Sequence, residues 1–135
     1  MSEETGTASP YAGASGEAPS EIRLSKDRRT LTVAFGDERH AIPAELLRVE
    51  SPSAEVQGHA PSQKVTVPGK RHVEIIGIEP VGNYAVRITF GDLHATGIYP
   101  WPLLRRMGRE GAVMMEAYER ALAEQGLSRD PPARG

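Results

Sequence analysis

Residues 91–101, GDLHATGIYPW, hold one of the chain's four histidines and its only tryptophan. Asp92 and His94 stand two apart, so on an extended strand their side chains share a face. A carboxylate beside an imidazole can orient the ring as a general base, and the same ring can ligate a metal. Either chemistry needs partners. No serine or threonine is assigned beside the pair as a nucleophile. The sequence has no G-x-S-x-G, H-E-x-x-H, G-x-G-x-x-G or G-x-x-x-x-G-K pattern and no EF-hand loop. The other histidines, His40, His59 and His72, are scattered through turns and strand ends. His59 and His94 could meet in space, but two histidines alone make a poor zinc site, since structural zinc takes four ligands.

Composition narrows the choices further. The chain has 135 residues, a formal net charge of −2 and no cysteine. A thiolate metal site, an iron–sulfur ligand set, a disulfide and a cysteine nucleophile are therefore excluded within it. VPGKRH (67–72), with Lys64, Arg105, Arg106 and Arg109, offers a basic patch. Acidic residues outnumber basic ones, 18 to 16, which argues against nucleic acid as the partner. No apolar run reaches the roughly 20 residues of a membrane span. The start, MSEETGTASP, lacks the basic and apolar regions of a signal peptide, which makes the cytoplasm the expected compartment.

The elements that must position these groups follow from apolar periodicity. EIRLS (21–25) and TLTVAF (30–35) alternate around the polar turn KDRR and read as a hairpin. AIPAELLRVE (41–50) changes period, and Pro43 suits the first position of a short helix. Residues 51–72 read as loop. HVEIIGIEP (72–80) reads as a strand, Gly82-Asn83 as a two-residue turn, and YAVRITF (84–90) as the clearest strand. There Tyr84, Val86, Ile88 and Phe90 face one way and Ala85, Arg87 and Thr89 the other. GDLHATGIY returns as a further strand. WPLLRRM (101–107) begins a helix that Gly108 can end. Residues 111–126 form a second, amphipathic helix stopped by Gly126.

The expected fold class is α+β: two layers, a mostly antiparallel sheet with short helices on one face, plus a C-terminal helix. The expected organisation is a disordered tail over 1–20, a domain over 21–107, a C-terminal helix over 108–126 and a frayed tail over 127–135.

Several phrases occur together in a fixed order: EIRLSKDRRTLTVAFGDERHAIPAELLRVESPSAEVQGH, then VEIIGIEPVGNYAVRITFGDLHATGIYPWPLL. Over about residues 19–107 they resemble the family of small bacterial proteins similar to the N-terminal domain of γ-butyrobetaine hydroxylase. The resemblance rests on LR-x-x-S-P-S-A-E, P-V-G-N-Y-A and D-x-H-x-T-G-I-Y-x-W in combination. It implies a two-layer α+β domain that does no chemistry itself. In the hydroxylases that domain precedes the catalytic iron domain and holds a structural zinc through a C-x-C-x-x-C cluster and the histidine of the D-x-H segment. Related domains also occur fused to iron–sulfur scaffold ATPases.

By that resemblance the three cysteine positions fall on Ser51, Ser53 and Val56, and the histidine on His94. Serine hydroxyls are poor zinc ligands at neutral pH, and valine cannot ligate. The expectation is therefore a degenerate zinc site, with no metal and no cofactor bound. His94 would then hydrogen-bond to the 51–56 loop. The alternative is a zinc or iron site rebuilt from His94 with Asp92, Glu55 or His59, whose oxygen donors favour a harder ion. The resulting expectation is a cytoplasmic, non-catalytic module that interacts with another protein, linked to metal-cofactor or iron–sulfur handling.

Overall fold

The first hairpin is built by its turn. The Asp27 carboxylate accepts from the Ser25 hydroxyl at 2.6 Å and the Arg29 amide at 3.0 Å. The Ser25 hydroxyl in turn accepts from the Thr30 amide at 3.1 Å. These local bonds let Arg28 take a left-handed φ of 64°. The strands on either side are β1 (Glu21–Leu24) and β2 (Thr30–Phe35). Leu31, Val33 and Phe35 of β2 are buried on one face, as their alternation predicts.

The computed structural model describes residues 17–57, 64–92 and 95–131. Its remaining elements are β3 (Glu38–Pro43), α1 (Ala44–Val49), α2 (Ala54–Gln57), β4 (Ile75–Val81), β5 (Ala85–Phe90), β6 (Ala95–Pro100) and α3 (Trp101–Glu124). The strands form two three-stranded antiparallel sheets in the orders β1-β2-β3 and β4-β5-β6. One apolar core joins both sheets to α1 and α3. It includes Leu31, Val33, Ile42, Leu46, Leu47, Ile75, Ile88, Phe90, Tyr99, Leu104 and Met107.

The class is α+β, but the architecture departs from expectation in six places, the last in the C-terminal helix. Two sheets replace one. The strand β3 was not expected, because ERHAIP buries only Ile42 fully and carries charge on its other face. It follows β2 through the two-residue turn Gly36-Asp37, with Gly36 at φ 64°. Pro43 ends that strand and caps α1 with an extended ψ of 141°, rather than sitting inside the helix. The turn between β4 and β5 has three residues, 82–84, because Val81 pairs with Ala85. Residues 54–57, expected as loop, form the short α2.

The two expected C-terminal helices are one. Gly108 lies inside α3, where a Cβ would meet the His40 ring at 2.4 Å. A close approach between hairpin and helix, not a helix end, requires glycine there. Gly126 does stop the helix, at φ 69°. The Gly126 amide donates to the Ala123 carbonyl at 3.2 Å, and the Leu127 amide to Leu122 at 2.9 Å. Those two bonds make a Schellman motif.

β5 follows its alternation. Val86, Ile88 and Phe90 are buried, Arg87 is exposed and Thr89 lies between. Ala85 is buried as well, and Tyr84 is only half-buried, at the turn. Pro80 is accommodated because β4 is an edge strand.

Candidate functional site

The 51–57 loop leaves the end of α1, and all six residues of α1 are buried. A helix this short cannot satisfy its last carbonyls by itself. The Tyr99 hydroxyl on β6 donates to the Leu47 carbonyl at 2.5 Å. Burial, more than any other influence, holds that phenol well above its usual pKa, although a bond with Ser51 works the other way. That bond ties the end of α1, from which the loop leaves, to the second sheet, whose strand β5 runs up to Gly91 and Asp92.

Inside the loop, Ser51 is fully buried. Its hydroxyl accepts from the Ser53 amide at 3.2 Å, and its carbonyl accepts from the Gln57 side-chain amide at 2.9 Å. The amides of Val56 and Gln57 both donate to the Ser53 carbonyl, at 3.1 and 2.9 Å. Val56 is buried in the core. The positions that the resemblance aligns with three thiolates therefore hold one spent hydroxyl, a second serine that shapes the turn and a packed aliphatic side chain. This set does not fit a thiolate zinc site. Among the described residues no three His, Asp or Glu side chains are grouped to hold a metal ion. His59 and His94 lie outside the described residues, and so does the side chain of Glu55.

Asp92 has a definite place. One of its oxygens accepts from Arg48 Nε at 2.8 Å and from Lys70 Nζ at 2.6 Å. The Arg48 side chain is only 9% exposed, so its charge depends on that carboxylate. Its buried Nη1 finds no acceptor among the described residues. The sequence offers Lys70 only as part of the basic stretch 67–72 and Arg48 only as part of the LR motif, and pairs neither with Asp92. They stand 44 and 22 residues from Asp92, and no local pattern links them. Beside them lies a cavity of about 340 Å³. Its lining includes Lys70, His72, Glu74, Gly91 and Asp92.

A second polar cluster ties β3 to α3. Glu38 accepts from Arg109 at 2.5 and 2.8 Å and from Arg105 at 3.2 Å, and it pairs with His40 Nε2 at 2.7 Å. The Arg109 guanidinium, followed by His40, pulls the Glu38 carboxyl down to about 2. Arg105 also lies over the Phe35 ring, 4.7 Å from its centroid. This cluster clamps the β2–β3 hairpin to the helix and faces no cavity described above.

Two antiparallel sheets on a shared core, packed by one long helix and carrying a cysteine-free loop after α1, define a small α+β domain. Residues 22–105 match the family described as γ-butyrobetaine hydroxylase-like, N-terminal, and the chain belongs to that family. Its fold is similar to those of several solved structures. One, determined in solution by NMR, is 41% identical with a TM-score of 0.75, covering 87% of this chain and 94% of that one. Another NMR structure is 35% identical with a TM-score of 0.75, over 91% and 92%. A third is a crystal structure of a protein of unknown function of the DUF971 family from Acidithiobacillus ferrooxidans. It is 36% identical with a TM-score of 0.58, over 71% of this chain and 98% of that one. No curated protein matches the chain. No helix among the described residues is long and apolar enough to cross a membrane.

Proposed function

We infer that this chain is a non-catalytic accessory module that acts by docking on another protein. The Asp92 carboxylate carries the reading. It is the group that stands two residues from His94, suited to orient an imidazole or to ligate a metal. One of its oxygens is shared by Arg48 and Lys70. A carboxylate neutralised by two cations, one of them buried, is committed to holding the fold together. Ser51 is engaged too, since its hydroxyl closes the turn that follows α1.

The family resemblance supports a partner in metal-cofactor or iron–sulfur handling, in the cytoplasm. The partner is a protein; nucleic acid, membrane and cofactor have no part in the reading. The competing reading is a zinc or iron protein built on His94 with Asp92, Glu55 or His59; where Asp92 serves, it would do so beside the two cations that share its oxygen. Isolation of the tagged wild-type chain from its own cell, with sizing and elemental analysis of the same fraction, separates the two. Docking predicts a stoichiometric protein partner and no stoichiometric metal on the chain. A chain that elutes alone with about one metal ion, the stoichiometry of a single site, would replace it with the metal reading.

A further inference from the structure

The segment after α3 is held differently from the rest of the fold. Leu127 is 38% exposed, and Ser128, Asp130 and Pro131 are exposed too, so little apolar area anchors it. Directional bonds hold it instead. The Gly69 amide donates to the Ser128 carbonyl at 2.9 Å, and the Arg71 amide to the Arg129 carbonyl at 3.0 Å. The Arg129 guanidinium donates to Glu45 in a two-pronged pair, Nε to Oε2 and Nη2 to Oε1, both at 2.8 Å. The Glu45 side chain is 6% exposed, so it is a buried acid that the arginine reaches down to meet. Arg71 pairs with Asp130.

Main-chain bonds to an extended segment, with one anchor side chain in a charged pocket, are how folded domains read peptides. A planar guanidinium fits a buried carboxylate better than an ammonium does. Gly69 sits at φ 74°, a left-handed conformation that favours glycine at this docking position. The cavity of about 340 Å³ begins where the segment ends, since Pro131 forms part of its wall beside Gly69 and Lys70. A segment held by a few polar bonds and little apolar area beyond a single turn at Gly126 opens at lower cost than the core does.

We propose that this groove is an acceptor for an extended segment of a partner protein carrying an arginine followed by an acidic residue, filled in cis by residues 127–131 until the partner displaces them. The proposal rests on the docking reading above and names its partner class: Arg into Glu45, the acid onto Arg71, and backbone carbonyls onto Gly69 and Arg71.

The test uses the full chain as Arg129→Ala and the acetylated peptide of residues 126–131. Removing the tethered arginine removes a competitor present at millimolar effective concentration, so the variant binds the peptide about tenfold or more tightly than wild type does. Adding Glu45→Gln abolishes that binding, and so does replacing the peptide's own arginine by alanine. Equal binding by wild type and variant, or by both peptides, overturns the proposal. If Arg129→Ala does not fold, amide exchange on the wild type decides. The Gly69 and Arg71 amides should exchange well ahead of those of β5; equal protection would mean that the segment leaves only on global unfolding, and the proposal fails. A wild-type chain that dimerises by swapping residues 127–131 would assign the groove to a second copy and overturn the partner assignment. Docking through another face would appear as a partner retained equally by wild type and Arg129→Ala/Glu45→Gln, which removes this proposal and leaves the docking reading standing.

Discussion

A Cβ placed on Gly108 would lie 2.4 Å from Cγ of His40. The helix and the β2–β3 hairpin meet at this point, and Glu38 fixes the approach by pairing with His40, Arg105 and Arg109. Alanine would ordinarily be preferred in a helix interior by about 1 kcal/mol. Here overpacking, at about 1–3 kcal/mol, opposes that gain. Gly108→Ala should therefore destabilise the fold by up to about 2 kcal/mol in urea unfolding. Gly108→Ala with His40→Ala should recover much of the loss. A stabilised single variant would show that the ring moves aside freely.

The same clamp sets an acid limit. The Arg109 bond, then His40, lowers the Glu38 carboxyl from 4.5 to about 2 in the fold. A lowered carboxyl pKa contributes stability that is fully present above the unfolded value. That contribution fades as pH falls from about 4.5 and is lost below about 2. Unfolding midpoints measured across this window should fall more steeply for wild type than for Glu38→Gln. Parallel curves would mean that the ion pairs do not couple to folding.

What could be read from the sequence, and what could not, divides by distance along the chain. The alternation of β2 and β5 and the glycine stop at 126 are local signals, and the structure bears them out. β3 escaped notice because only Ile42 on it is fully buried and Pro43 imitates a helix start. Gly108 was misread because glycine ends helices and also permits close contacts, and only the fold brings His40 beside it. The resemblance drew attention to Ser51 and Val56, and the structure buries both. The Arg48–Asp92–Lys70 cluster and the Arg129–Glu45 pair were not legible in the sequence. Their members stand 22 to 84 residues apart, and charged residues at such separations look like solvated surface.

Ile88 is fully buried at the centre of the second sheet. Ile88→Ala should cost about 2–5 kcal/mol in chemical denaturation. Arg87→Ala, one residue away on the exposed face, should stay within about 0.5 kcal/mol. Similar costs at both positions would contradict the facing assigned to β5.

The loop should accept thiolates again by side-chain change alone. Ser51→Cys, Ser53→Cys and Val56→Cys together supply three, with His94 as the fourth ligand that the family resemblance implies. The triple variant should bind about one zinc per chain, and its melting temperature should rise with zinc. Adding His94→Ala should weaken the binding sharply. A folded triple variant that takes up no zinc would mean that the backbone of residues 51–56 no longer supports the site.

Native mass spectrometry of the tagged wild-type chain, isolated from its own cell, tests the docking claim most directly, because one spectrum reports both protein partner and bound metal. A complex of the chain with a second protein, and no metal adduct on the chain when that complex is dissociated in the gas phase, is the predicted result. A chain that flies alone carrying one zinc or iron ion would contradict it.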